Sequence, residues 1–389
     1  MGKEIYKLTI EPITCVHIGT GKQLTLLDYT VKETESGINK YIHFSSDSIL
    51  NRIAGEPAKI NEFDVASSSG NMKDVQTFFQ KNFSEKEDSV YSCETTGEFA
   101  KTYLQNKELD PYENAAIVEQ MYRPAGTDTP VIPGSSLKGC IRTAILNDLL
   151  SKTDDKTYNR YADCHDKIIE DNCANKKKLE REFNKLNDQI QKELLSNYND
   201  AKKDPFRAIE FSDCSFLSSD CQIVGLLKTI SLNQSDGELF VSNSTQIQIE
   251  AIKGSLMGCE EKAQCLLRLN TDLMNKQNGV TKSFDISDVV NSCNYFYWRE
   301  FETEYKKFYK DASMYCDLIT ELFNELNEIR KKENQFIIRV GRWSQVEFIT
   351  LEKNIREPKN DKYGTTRTVF NYDEQYLPLG WCKCSVERV

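Results

Sequence analysis

The chain has 389 residues, a formal net charge of −10 and a pI near 5.2. That balance excludes a protein that coats nucleic acid indiscriminately, because such binding is dominated by phosphate neutralisation, but it leaves room for a confined basic path. No stretch approaches the roughly 20 apolar residues of a membrane helix, and Met1 to Tyr6 lacks a secretory apolar run. The thirteen cysteines are scattered without a Cys-x-x-Cys pair, so a cytoplasmic chain with reduced thiols is expected, with neither a zinc site nor disulfides.

Lys3 to Glu11 mixes apolar and polar residues (Ile5, Leu8, Ile10) at the period of a half-buried strand, and Gly19-Thr20-Gly21 marks a turn soon after. Leu24 to Val31 and Lys40 to Phe44 add an extended pair, making 1–47 a first core block. The Ser/Asn/Lys-rich region 48–118 reads as an insertion of short helices and loops. Region 119–152 holds a loop and the clearest helix, Gly134 to Leu150. There Ser135 or Ser136 can cap, and Leu137, Ile141, Ala144, Ile145 and Leu149 recur at helical spacing.

Region 153–205 is highly charged yet keeps a stripe of Leu179, Phe183, Leu186, Ile190 and Leu194, which predicts a helical excursion. Strands return in 206–280, at Phe206 to Phe211, Gln222 to Leu232 and Thr245 to Lys253. Within 281–334, Phe301, Tyr305, Phe308, Ala312, Tyr315, Ile319, Leu322, Leu326 and Ile329 follow 4,3 spacing. That pattern predicts one long helix with a coiled-coil-like seam, packed on its own domain or docking a partner. Region 335–389 has two or three extended segments parted by Pro358-Lys359, Gly364 and Pro378-Leu379-Gly380. The order fits an α+β fold with segregated insertions better than a doubly wound sheet.

The sharpest local signal is Ile132-Pro133-Gly134-Ser135-Ser136-Leu137-Lys138-Gly139-Cys140-Ile141-Arg142. A Pro/Gly loop delivers a Ser-capped helix start whose first amides lack internal partners and suit an anionic phosphate. Lys138 and Arg142 lie four apart beside the apolar stripe, so two cations flank the positive end. The plainer alternative is a capped amphipathic helix with solvated cations. Arg123 attracts interest because a guanidinium bridges two phosphate oxygens. Asp128 in the same loop reads as a turn former rather than a metal ligand. His17 is open to three roles: an RNA contact, a structural hydrogen bond or a general base. Tyr363, Phe370, Tyr372, Tyr376 and Trp381 mix with Lys359, Lys362 and Arg367, a composition used for stacking single-stranded RNA, although core aromatics give the same pattern. No Walker loop, His-Glu-x-x-His or Gly-x-Ser-x-Gly motif occurs, so no cofactor is expected.

Pro133-Gly134-Ser135-Ser136-Leu137-Lys138-Gly139 followed by Arg142 resembles the hallmark of the RAMP superfamily, the repeat-associated RNA-binding proteins of CRISPR effector complexes. Leu8 to Ile13 leading to His17-Ile18-Gly19-Thr20-Gly21 resembles the family's first strand and His-Ile-Gly loop, and Phe206-Arg207 to Ser212-Asp213 its next core strand. Arg339-Val340-Gly341-Arg342-Trp343-Ser344 resembles its glycine-rich loop. Thr366-Arg367 with Pro378-Leu379-Gly380-Trp381 is similar to the closing segment of the fifth-subunit branch of type III-A (Csm) complexes. The family loop usually carries several glycines, whereas Arg342, Trp343 and Gln345 here leave Gly341 alone, with Arg342 as a salt-type substitute.

The resemblance implies a ferredoxin-like (RRM-like) RAMP core with large, mainly helical insertions. It implies guide RNA (crRNA) as ligand, a place capping the backbone filament at the guide's 3′ end, support for guide maturation, and no catalysis. The implied partners are the repeated RAMP backbone subunit, the small helical subunit and recruited cellular ribonucleases. A RAMP-family RNA endonuclease is the alternative. The candidate RNA-binding residues are His17, Gly19, Arg123, Gly134, Ser135, Ser136, Lys138, Arg142, Gly341, Arg342 and Arg367.

Overall fold

The computed structural model describes residues 2–389 apart from 35–36, 38, 113–115, 173–174, 197–199, 233–238, 275–276, 278–279, 311–315, 353–354, 356–363 and 373. The first half of the chain forms β1 (Lys3–Pro12), β2 (Gly19–Leu24), β3 (Tyr29–Glu33), β4 (Asn39–Phe44), α1 (Ser46–Ile53), α2 (Pro57–Ser68), α3 (Met72–Asn82), α4 (Glu85–Asp88), β5 (Ser89–Thr95), α5 (Gly97–Asn106), β6 (Val118–Met121), β7 (Val131–Ile132), α6 (Gly134–Ser151), α7 (Asp155–Asn172) and α8 (Lys176–Leu195). The second half forms β8 (Ile209–Phe211), β9 (Cys214–Ser215), β10 (Gln222–Leu232), β11 (Leu239–Ile252), β12 (Ala263–Asn270), α9 (Ile286–Glu304), α10 (Cys316–Ile329), β13 (Gln335–Arg339), β14 (Thr366–Tyr372), β15 (Gln375–Pro378) and β16 (Trp381–Arg388).

Alternation in β1 sends Tyr6, Leu8 and Ile10 into the core and leaves Lys7, Thr9 and Glu11 half-buried. Ile5, expected on the inner face, is on the outer one, because the period of two gives that place to Tyr6. β1 is the middle of an antiparallel sheet of order β13-β16-β1-β12-β8. Helices α6 and α9 pack together, with Tyr297 Oη donating to the Cys140 carbonyl at 3.1 Å. Leu137, Ile141 and Ile145 of α6 and Phe296 and Tyr297 of α9 share one core with Leu8 and Ile10. Each fully buried aliphatic or aromatic side chain in it contributes about 1.5–3 kcal/mol. The path β1-α6-β8-β12-α9-β16, with strands standing 4-1-3-2, is the βαββαβ order of a ferredoxin-like core, and β13 extends its edge.

Nine of the remaining strands form a second sheet, β2-β6-β11-β10-β5-β4-β3, with β14 on β10 and β15 on β14, and β7 pairs with β9. One edge of β10 serves two neighbours: parallel β5 at Ile223–Val224 and antiparallel β14 from Leu226 to Ser231. Region 48–118 is therefore more than helices and loops, because β5 within it pairs with β4 at Tyr41↔Cys93. The flanking helices α1 to α3 make a satellite cluster around Phe44, Phe78 and Phe79. The charged excursion is the pair α7 and α8, tied by Arg160–Glu193 and anchored to the main core through Phe183, Leu186 and Ile190.

The single long helix expected across 301–329 is instead two helices. α9 runs into a π turn at Tyr305–Tyr309, and α10 begins at Cys316. In one straight helix Trp298 and Phe323 stand about 37 Å apart, yet their rings are 5.1 Å apart, and Tyr305 lies 4.5 Å from Phe323. The chain folds back on itself, and Phe301, Phe308, Ile319, Leu322, Leu326 and Ile329 join the main core. Tyr315 and Ala312 lie outside the described residues.

Candidate functional site

Three of the singled-out segments meet beside α6. Gly341 has φ +95°, and a Cβ there would stand 2.4 Å from the His17 carbonyl oxygen, so only glycine lets the two loops touch. The Arg342 amide then donates to that carbonyl at 2.9 Å, and the Gly380 amide donates to the Cys15 carbonyl at 2.7 Å. Between these loops and the helix lies a cavity of about 560 Å³. One wall is Ser136, Gly139, Cys140 and Thr143 of α6, another is Ile18, Gly19 and Gly21, and the third is Val340, Gly341 and Arg342 with Phe348 and Ile349.

The start of α6 differs from the sequence expectation. Pro133 occupies the N-cap position without a side-chain cap, so neither Ser135 nor Ser136 plays that part. Asp213 does: its Oδ1 accepts from the Gly134 amide at 2.7 Å, and the Ser136 and Leu137 amides share the Pro133 carbonyl. A carboxylate thus already sits at the positive end of the helix, where a phosphate was expected. Gly134 is fixed by packing, since a Cβ there would meet the Phe211 carbonyl at 2.4 Å. Ser135 is exposed.

The cations fare unequally. At about 100° per residue, Lys138 projects roughly 130° and Arg142 roughly 95° away from the centre of the Ser136–Gly139–Thr143 face that lines the cavity. Lys138 forms no ion pair among the described residues, whereas Arg142 pairs with Asp204 at 2.9 Å and covers the Phe206 ring at 4.7 Å. Arg342 is half exposed at the cavity rim, pairs with Glu119 at 2.6 Å and stacks on Trp343 at 4.6 Å.

Arg123 and Arg367 are interior residues, contrary to their expected place on an RNA-facing surface. The Arg123 side chain is 6 % exposed; it donates to Glu250 at 2.6 Å, to Gln222 and to the Met121 and Asp128 carbonyls, and lies 3.8 Å over Tyr91. Arg367 is 5 % exposed and held by Glu304 at 2.7 Å and Glu347 at 3.0 Å, and Glu304 also takes Arg339 at 2.8 Å. A buried guanidinium is tolerated only when its donors are met, and carboxylates remote in sequence meet them.

A family model of the RAMP superfamily matches residues 9–387. The chain belongs to the RAMP superfamily. Two solved structures resemble it over nearly its whole length. A chain of the cryo-EM structure of a Csm–crRNA–target RNA ternary complex from a type III-A CRISPR-Cas system covers 98 % of this chain and 100 % of its own, at 16 % identity and a TM-score of 0.61. The crystal structure of T. onnurineus Csm5 covers 96 % and 99 %, at 16 % identity and a TM-score of 0.62. At such identity the likeness is one of fold, and it is the α+β RAMP fold that the sequence order predicts. No curated protein sequence matches the chain.

His17 of this RAMP protein is fully buried. Its Nδ1 is 2.6 Å from the Glu250 carbonyl oxygen, which only accepts, so Nδ1 carries the proton and Nε2 presents a lone pair. Burial lowers the imidazole pKa from its usual 6.5, outweighing the nearby Glu250 and Glu119. Asp128 lies on an exposed loop, and among the described residues no cluster of metal-ligating side chains forms. Phe370 and Trp381 are core residues, with Trp381 packed edge-on to Phe301 at 4.9 Å, while Tyr372 and Tyr376 are half-buried. Lys359, Lys362 and Tyr363 lie outside the described residues. Gly21 and Gly139 fall within the motifs without being among the site candidates, and sequence reasoning missed Thr143, Phe348 and Ile349 altogether. A signal was present for α6, because its small residues 136, 139, 140 and 143 recur at helical spacing opposite the apolar stripe.

Proposed function

We propose that this RAMP protein is a non-catalytic crRNA-binding subunit of a type III-A CRISPR-Cas (Csm) effector complex, placed at the 3′ end of the guide, where it caps the backbone filament. The observation that most supports the reading is the convergence of the His17–Gly21 loop, the exposed face of α6 and the Gly341 loop on one groove of a RAMP core. A subunit that serves every guide has to hold the sugar-phosphate chain and stay indifferent to spacer sequence. Arg342 lines the groove, and Lys138, without an ion pair among the described residues, stands on another side of α6. The repeated RAMP backbone subunit and the small helical subunit are the proposed neighbours, with recruited cellular ribonucleases trimming the guide.

The endonuclease alternative rests on the lone pair of His17 Nε2 alone. Cleavage needs an acid for the leaving oxygen beside the base that takes the proton. The carboxylates acting on His17 are Glu250 and Glu119, and each is held by an arginine, Arg123 and Arg342. The test is reconstitution of the complex with and without this chain, followed by nuclease footprinting of unrelated guides. Protection lost at the 3′ end of every guide is the expected result. Protection lost at the 5′ end, or for one guide sequence only, overturns the proposal, as does cleavage of labelled guide precursor by the purified chain with or without Mg²⁺.

A further inference from the structure

Gly139 stands in the middle of α6, where glycine weakens a helix relative to alanine. Nothing lies within 4 Å of the position its Cβ would take, so packing does not require it. Its bareness instead deepens the cavity. The other walls are largely carbon: Ile18, Val340, Phe348 and Ile349, the last a β-branched side chain 60 % exposed at the rim. Arg342 is the cation that lines the cavity, and Glu119 already neutralises it. A phosphate entering this recess meets hydrocarbon and a spent charge, whereas an unstacked base finds matching walls and ample room.

His17 gives an independent pointer. Its Nε2 is buried without a partner among the described residues and lies 3.1 Å from the Cβ position of Gly19, whose bare face lines the cavity. With Nδ1–H held by Glu250, Nε2 accepts and does not donate, so it suits a hydroxyl or amino group and not the oxygens of a phosphate. The Arg342 stem covers the same spot, its Cδ 3.7 Å from that Cβ position. Access to Nε2 requires that half-exposed side chain to shift.

We infer that the cavity beside Gly139 receives the nucleoside, not the phosphate, of one RNA nucleotide, with its base in the apolar recess and a hydroxyl or amino donor of that nucleotide on His17 Nε2. The inference rests on the RNA-binding reading above and names what this groove holds.

The test uses the full chain and a short single-stranded RNA carrying one abasic substitution at each position in turn. One position is expected to weaken binding about tenfold when abasic. Gly139→Leu fills the recess; it is expected to lower affinity for intact RNA by the same factor, to erase the sensitivity at that position and to melt no lower than the parent protein. A 2′-deoxy substitution at that position weakens binding if the donor is the ribose hydroxyl, and removal of the exocyclic amine does so if it is the base. Intact RNA bound normally with a flat abasic profile overturns the inference alone, as does Gly139→Leu binding like the parent. Should Gly139→Leu melt lower, Gly139→Ala decides: a lower melting point there too makes the glycine structural and overturns the argument. Failure to bind any RNA, alone and in the reconstituted complex, overturns the parent reading.

Discussion

Arg123→Ala separates the surface that binds from the interior that supports it. The guanidinium is enclosed by Glu250, Gln222, the Met121 carbonyl and the Tyr91 ring. Removing one member of a buried pair costs about 3–5 kcal/mol, chiefly because the other charge is stranded. Glu250 retains the Tyr91 hydroxyl at 2.6 Å and the Met121 amide at 2.9 Å, which puts the cost near the lower end, about 3 kcal/mol. At about 2.1 cal/mol/K per residue of unfolding entropy, a chain of this length then melts about 4 °C lower if it unfolds as one unit. Circular dichroism melts give that shift, and RNA affinity measured well below the transition is expected to change less than threefold. The double variant Arg123→Met with Glu250→Gln, which strands no ion, recovers more than half of the loss. An unchanged melting temperature with a tenfold loss of RNA affinity refutes the reasoning and returns Arg123 to the RNA surface.

Gly341→Ala forces a Cβ toward the His17 carbonyl at positive φ; a loss of about 1–3 kcal/mol is expected, with groove-dependent RNA binding reduced along with it in a filter-binding assay. Lys138→Ala lowers the slope of log affinity against log salt by about 0.7 for single-stranded RNA, while Arg142→Ala, which loses Asp204 and Phe206, lowers the melting temperature and leaves that slope unchanged. His17 and His43 both have pKa values lowered from 6.5 by burial, so each is neutral in the fold and takes a proton more readily once unfolded. Stability from this source is fully present above pH 6.5 and is lost as pH falls through the folded values. Melting temperatures that fall below pH 6.5, less steeply in His43→Asn, are the expected result.

The parts of the fold legible in sequence are those with local causes. The period of β1 and the stripe of α6 each follow from neighbours within a turn or two. What escaped depends on partners far along the chain. A 4,3 repeat describes the face of a helix and says nothing of where the helix turns back, so α9 and α10 read as one. Charge is conspicuous in sequence, but its partner is not: Arg123 meets Glu250 across 127 residues, and Arg367 meets Glu304 across more than sixty. The same bias drew attention to Lys138 and Arg142 and away from the uncharged face of α6 that borders the groove.

β1 occupies the middle of its sheet, yet its neighbour β16, paired from Tyr6↔Arg388 to Pro12↔Cys382, is made about 370 residues after it. At 5–20 residues per second, synthesis leaves that edge bare for roughly 20–80 s. An open strand edge is a template for annealing to another chain, and nascent copies on one message lie close together. Lys7 and Glu11, set along β1 with Thr9 between them, keep that waiting edge hydrated until β16 arrives.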